Sequence, residues 1–363
     1  MVTAMNLRLT GPTPLPPSVR RAGARQIVGH RSPEFRTMLT GISRRLQPVF
    51  GSSRPVLPFT TSGTGGLEVA AGNVIAPGDE VVAVTIGYFG DRFADVAAGF
   101  GAAVSRLQVP WGEAAAPDAL RRLLRRRRAV KAVLLTHNET ATGAVNPLPE
   151  LAAVVHQESA ALLLVDVVSS VGGMPVEVDR HGIDIAVGVT QKALMSPPGL
   201  ALVAVSDRAL RVAAANPGSR WSLDLVRMAE SVDAGTTSYT PAVTVLFALD
   251  AALAEIESEG LAAVFERHRT LAGRLRAGLA NLGVVVRAEP GCRSDTVTAV
   301  RIPGPGATAA AVRRRLADHG IAVSAGREDW HADTIRIGHL GWVSEPDIDD
   351  LLAALTEIGK DWT

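Results

Sequence analysis

Between residues 55 and 205, short β-branched apolar runs alternate with longer segments of helical spacing. The runs at 56–60, 81–85, 103–109, 132–136, 161–166, 183–189 and 200–205 read as strands. Most are apolar throughout rather than at every second residue, the pattern of a parallel sheet covered on both faces. The Ala/Leu/Arg/Glu-rich segments between them, at 67–75, 91–100, 117–128 and 148–158, read as helices. After residue 205 the rhythm changes. Two long helical patterns, 242–257 and 261–282, are separated by Ser258-Glu259-Gly260, where Gly260 reads as a helix stop. A strand at 296–302, a helix at 308–319, a strand at 334–337 and a helix at 345–358 follow. The first twenty residues carry Pro12, Pro14, Pro16 and Pro17 and read as an extended arm. The expected fold is α/β: a large domain with a mostly parallel seven-stranded sheet between helices, plus a smaller C-terminal α+β domain. The expected divisions are an arm at 1–20, a large domain at 21–259 and a small domain at 260–363. No repeat of solenoid period is visible.

Composition narrows the function classes. With 363 residues and 47% hydrophobic positions, the chain can bury two cores and is not globally disordered. Its 37 Lys+Arg against 36 Asp+Glu leave no basic excess for nucleic acid. The run 121–128 is arginine-rich, but Leu120, Leu123 and Leu124 form an apolar stripe that assigns the arginines to a solvent face. The single cysteine, Cys292, allows no intrachain disulfide or paired-cysteine zinc site and fits a reducing cytoplasm. Its neighbours read as a plain loop leading into a strand. No apolar stretch has the length of a membrane span. The N-terminus has no signal-like apolar core, and Asp361-Trp362-Thr363 is no peroxisomal address. The expectation is a soluble cytoplasmic protein. Asp179, His181 and Asp184, and likewise His331, Asp333 and His339, lie close in sequence without a helical His pair, so no metal is expected.

Three features could carry chemistry. After the first strand, Thr60-Thr61-Ser62-Gly63-Thr64-Gly65-Gly66 leads into a helix. Such a turn offers free N–H groups, hydroxyls and a helix dipole to an anion, although a plain capped βα turn looks the same. Asp166 closes an apolar strand, where open α/β sheets bind ligands; an ordinary turn aspartate also fits. Lys192 stands nearly alone among apolar residues between two strands. Desolvation there would lower its pKa and favour a nucleophilic or Schiff-base amine; a lysine snorkelling to the surface is the plainer reading. Taken together, a phosphate cup, a strand-end carboxylate and a buried lysine are the protein's share of a pyridoxal-phosphate site.

The chain also resembles a known family. The segments that carry the likeness are Gly11-Pro12-Thr13-Pro14, Gly29-His30-Arg31-Ser32-Pro33-Glu34-Phe35, Ser62-Gly63-Thr64, Thr136-His137-Asn138-Glu139-Thr140-Ala141-Thr142-Gly143, Asp166-Val167-Val168-Ser169-Ser170, Gln191-Lys192-Ala193-Leu194-Met195-Ser196-Pro197-Pro198-Gly199 and Arg336-Ile337-Gly338. They resemble the class V aminotransferases, the alanine–glyoxylate and serine–pyruvate group of fold-type I pyridoxal-phosphate enzymes, over about residues 6 to 357. The resemblance implies an aminotransferase moving an amino group from an alanine- or serine-like 2-amino acid to glyoxylate or pyruvate. It implies that Lys192 bonds pyridoxal 5'-phosphate and moves the α-proton, and that Asp166 partners the ring nitrogen. Ser62, Gly63, Thr64 and Gln191 would hold the phosphate. Phe89 and Val168 would flank the ring, Thr140 would bond near its hydroxyl, and Arg336 would bind the substrate carboxylate. Thr240, with Thr237, would reach the phosphate of a partner subunit, which implies a homodimer with shared sites. Thr64 replaces the His of some animal members, and Phe89 replaces the commoner Trp. A pyridoxal-phosphate lyase or specialised biosynthetic enzyme is the alternative on this scaffold. An anion-binding module using only the Ser62–Gly66 turn is the alternative of another class.

Overall fold

A seven-stranded sheet forms the spine of the computed structural model, which describes residues 5–360 except 128, 217, 219 and 304–307. Its order is Leu57–Phe59, Ala201–Val205, Ile185–Val189, Leu162–Asp166, Val130–Thr136, Glu80–Thr85, Ala103–Gln108. Only Ala201–Val205 runs antiparallel to its neighbours. Side chains still alternate between faces, but both faces are covered. Val82, Val84, Val133, Leu135, Leu163 and Val165 enter one core. Val81, Ala83, Ala132, Leu134, Leu162 and Leu164 enter the other. The strands therefore read as uniformly apolar in sequence, because neither alternate set meets water. All seven expected strands are present, within about two residues at each end.

The helices at Gly63–Val74, Tyr88–Gly99, Pro117–Arg125 and Leu148–Glu158 cover the sheet where the pattern expected them. In Pro117–Arg125, Leu120 and Leu124 are buried, while Arg121 and Arg125 both pair with Glu158. The arginine run is thus a solvent face; Arg128 lies outside the described residues, as do residues 361–363. Four helices among the described residues escaped the pattern: the short Pro17–Gly23 in the segment read as an arm, and three more. Pro33–Phe50 buries Phe35, Leu39, Ile42, Leu46 and Val49, a clear helical stripe. Ser32 caps it by accepting the Phe35 N–H, and Pro33 stands in its first turn, where no N–H is needed. Asp207–Ala215 and Leu225–Asp233 are short, and each is capped by the residue before it, Ser206 and Asp224.

The smaller sheet has the order Asn6–Arg8, Ile321–Ala325, Thr334–Gly338, Val297–Arg301, Val285–Val286. Three parts of it were not anticipated. Val285–Val286 is only two residues long, and Ile321–Ala325 mixes small and polar residues into its apolar run. Asn6–Arg8 lies in the segment read as an extended arm, yet it pairs in parallel with Ile321–Ala325. Further along the same arm, Pro17 begins a short helix, Pro17–Gly23, that packs Val19 against Ala248 and Ala252. The helices Val243–Glu259 and Leu261–Asn281 meet at Gly260, whose φ of +87° suits glycine.

Gly66 joins the helix Gly63–Val74 to the sheet. A Cβ added there would lie 2.6 Å from Val187 Cγ1 and 2.9 Å from the Ala201 Cβ. In an open helix, Gly→Ala gains about 1 kcal/mol of helix propensity. Here the strand atoms are packed on their own neighbours, and overpacking of about 1–3 kcal/mol outweighs that gain. Gly66→Ala should therefore lower the urea midpoint, whereas an unchanged or raised midpoint would show that the strand yields.

Candidate active site

The parallel strands end at one edge of the large sheet, where open α/β folds bind ligands. The segments at the ends of five of them carry the candidate residues. Leu57–Phe59 leads to Ser62–Thr64, Glu80–Thr85 to Phe89, Val130–Thr136 to Glu139 and Thr140, Leu162–Asp166 ends on Asp166, and Ile185–Val189 leads to Gln191 and Lys192. Residues far apart in sequence converge because the strands share direction, not because the chain is locally special.

Ser62 caps the helix Gly63–Val74: its hydroxyl accepts the Gly65 N–H at 3.2 Å, and its carbonyl takes the Gly66 N–H. The N–H groups of Gly63 and Thr64 are ones that no preceding helical carbonyl can reach, so they remain for an anion. Gly63 faces Val189 and Val168; a Cβ on it would stand 3.1 and 3.4 Å from their methyls. Arg92 donates to the Thr64 hydroxyl at 3.1 Å and to the Tyr88 hydroxyl at 2.8 Å, and its guanidinium lies 5.2 Å from the Phe89 ring centre. Gln191 brings a buried Oε1 with no hydrogen-bond partner.

Asp166 and Lys192 are both buried. Asp166 Oδ1 accepts the Val168 N–H at 2.8 Å, so the carboxylate also serves its own turn. Burial pushes its pKa up to about 6, opposed by that N–H and by the Lys192 and Arg92 cations. Lys192 Nζ donates to the Thr10 carbonyl, and the lysine stem packs on Gly11. Burial brings the Lys192 pKa down to about 7, helped by nearby Arg336 and opposed by Asp166 and Glu139. The amine is thus near neutrality at physiological pH, the condition for a base.

Arg336, on Thr334–Gly338 of the smaller sheet, closes the site from the other side. Its Nε donates to the Ala325 carbonyl at 2.7 Å, and its Nη1 donates to the Thr140 carbonyl at 3.0 Å and the Thr10 hydroxyl at 3.3 Å. Arg336, Lys192, Phe89, Thr140 and Thr10 all line one cavity of about 660 Å³. The Thr140 hydroxyl bonds to that of Ser169. Thr237 is buried with its hydroxyl on the Tyr239 carbonyl, while Thr240 is exposed and lines no part of this cavity.

Glu139 has no role in the sequence reading, although it stands in one of the matched segments. It is fully buried; Oε2 accepts the N–H groups of Phe89 and Gly90 at 3.0 Å each, and Oε1 accepts that of Ala141 at 2.9 Å. It therefore ties the first turn of the helix Tyr88–Gly99, which bears Phe89, to the turn bearing Thr140. No local pattern announces this, since two of its three partners are backbone groups about fifty positions away. The other clusters are used structurally. Asp184 accepts the Leu163 N–H, His339 bonds Thr298 and the Asp295 carbonyl, and Cys292 is a buried loop thiol. Among the described residues no helix is long and apolar enough to cross a membrane.

The profile of the class-V aminotransferases matches residues 20–337, and the chain belongs to that family. It is an aminotransferase. An uncharacterized aminotransferase of Methanocaldococcus jannaschii is 37% identical over 97% of this chain and 93% of its own. The L-aspartate–glyoxylate aminotransferase of Paracoccus denitrificans is 34% identical over 93% of this chain and 86% of its own. The crystal structure of an alanine–glyoxylate aminotransferase from Nostoc sp. superposes with a TM-score of 0.94 at 32% identity, covering 99% of this chain and 96% of that one.

Burial pushes Glu139 up to about 7, against about 4.3 for an exposed glutamate. Its ionisation therefore costs the folded state more than the unfolded one. The stability it confers is fully present below about pH 4.3 and is lost as pH rises to about 7. Relative to Glu139→Gln, which does not titrate, the wild type should lose stability across that window, on the order of 3 kcal/mol, and stay level above it. Urea unfolding at stepped pH would check this; a difference that does not change with pH refutes it.

Proposed function

We propose that the chain is a pyridoxal-phosphate-dependent aminotransferase carrying an amino group from a small 2-amino acid to a 2-oxo acid such as glyoxylate or pyruvate, in the cytoplasm. The observation that carries this reading is the buried Lys192 amine, near neutrality, in one cavity with Arg336 and electrostatically coupled to Asp166. An anion-binding module would need only the Ser62 turn and would not bury an amine and a carboxylate beside it.

The residues present fit the cofactor. The buried, unpartnered oxygen of the half-buried Gln191 side chain is free for a group outside the chain; with its amide turned, the NH₂ would serve a phosphate. Ser62, Gly63 and Thr64 add a helix N-terminus to that phosphate site. Phe89 and Val168 would flank the ring, Thr140 would lie near its hydroxyl, and Asp166 would hold its nitrogen protonated. When bound, the cofactor supplies an electron sink for the charge left as the α-proton departs. Lys192 Nζ would take that proton and return it on the far side of the amino nitrogen, two bonds from the α-carbon, and the Thr10 carbonyl aims the amine. Arg336 grips the substrate α-carboxylate with its planar fork, which also turns the α-C–H bond toward the lysine. Glu139 keeps the helix start bearing Phe89 and the turn bearing Thr140 in register while this happens.

We infer from the family resemblance a homodimer in which Thr240, exposed in the single chain, completes the phosphate site of the partner subunit. A small-domain division near residue 260 follows the junction of the two long helices. Kinship does not choose the donor, since one relative is named for aspartate and another for alanine.

Lys192→Ala should lose nearly all turnover: general acid–base groups contribute about 10²–10⁴-fold, and the bond to cofactor is lost as well. Borohydride reduction of the wild type should fix pyridoxal phosphate to the peptide bearing Lys192; fixation at another lysine refutes the assignment. Light scattering at assay concentration should give a dimer, and a fully active monomer would overturn the shared site.

A further inference from the structure

The cavity beside Lys192 carries more positive charge than one α-carboxylate requires. Besides Arg336 it is lined by Arg313 and Arg327, and Glu328 is its only lining carboxylate. None of the three guanidiniums forms an ion pair among the described residues, whereas Arg267, Arg274 and Arg287 elsewhere in the small domain do. Arg313, on the helix Ala309–Asp318, has its Nε on the Val323 carbonyl at 3.1 Å. Arg327 reaches across to the large domain, its guanidinium 5.1 Å from the centre of the Tyr88 ring. Arg92 also lies over the same ring, 4.9 Å from its centre. Arg327 is therefore steered by an aromatic face rather than neutralised by an acid. Both Arg313 and Arg327 lie near enough to help depress the Arg336 pKa. Like charges gathered without counter-ions cost the empty fold stability, and an anionic ligand removes that cost.

Resting on the aminotransferase reading above, we propose that Arg327 and Arg313 form a second anion subsite, and that the preferred amino donor is a dicarboxylic amino acid of aspartate size. Arg336 takes the α-carboxylate and the Arg327–Arg313 wall takes the side-chain carboxylate. Alanine and serine present only the first group and leave the second pair of cations unmatched. The corresponding oxo acid leaves carrying both carboxylates, so a reaction that consumes a four-carbon 2-oxo diacid must follow.

The test uses the holoenzyme with glyoxylate as acceptor. L-Aspartate should exceed L-alanine in kcat/KM by about tenfold or more, the range of one charge-assisted pair. Arg327→Gln and Arg313→Gln should each lower the aspartate-to-alanine ratio at least severalfold. A binding arm needs no turnover: succinate should protect the wild type from thermal unfolding at lower concentration than butyrate, which has the same carbon chain and one carboxylate fewer. That advantage should shrink in both variants. Alanine used as well as aspartate, a ratio unchanged in both variants, or equal protection by the two acids would overturn the subsite. Preference for L-phosphoserine over L-aspartate would overturn its assignment to a carboxylate. Failure to transaminate any amino acid would instead defeat the aminotransferase chemistry proposed above, and the succinate arm would still decide the subsite.

Discussion

Withdrawal of charged groups from water is the constraint on which the site depends. Lys192, Asp166, Glu139 and Arg336 all lose solvent, and desolvation is the largest cause of every shift among them. An isolated buried charge would be neutralised or would unfold its surroundings. Here opposite charges and backbone groups share the cost. Asp166 has a turn N–H, Glu139 has three backbone donors, Arg336 has two carbonyls and Lys192 has one. The result is a lysine and two carboxyls whose pKa values converge toward neutrality from opposite directions. That convergence is what proton transfer requires, and it needs no residue of unusual chemistry.

The sheet makes this burial possible. A parallel sheet with both faces covered sends every strand end to one rim, and the helices that cover it begin there with unsatisfied N–H groups. The same arrangement that hides the strands from water thus collects hydroxyls, amides and carboxylates where the sheet stops. Stability comes from the two apolar faces, and the chemistry sits on the edge they leave.

Much of this was legible in sequence, for reasons that differ by element. The large-domain strands stood out because burial on both faces leaves an unbroken apolar run, as in Leu162–Asp166. Asp166 stood out as the charge that closes such a run, and Lys192 as a nearly lone charge among apolar residues between two strands. Pro33–Phe50 was missed although its stripe is regular, since the seven-residue spacing of Phe35, Ile42 and Val49 is diluted by polar and proline positions. Asn6–Arg8 was unreadable because its pairing partner lies beyond residue 320. Glu139 stood among quoted residues without a function, since its work is done on backbone groups of Phe89 and Gly90, which composition does not reveal.

The pairing of Asn6 with Ile321 has a temporal side. The first strand of the chain belongs to a sheet whose other members are made last, and Thr10, just past it, supplies the carbonyl that holds the Lys192 amine. During synthesis the large domain can complete its sheet while the leading residues have nothing to pair with. Only when residues beyond 320 have left the ribosome can the opening segment settle, bring Thr10 to the lysine and meet Arg336. The surroundings of the Lys192 amine are thus completed only when the two ends of the polypeptide have met.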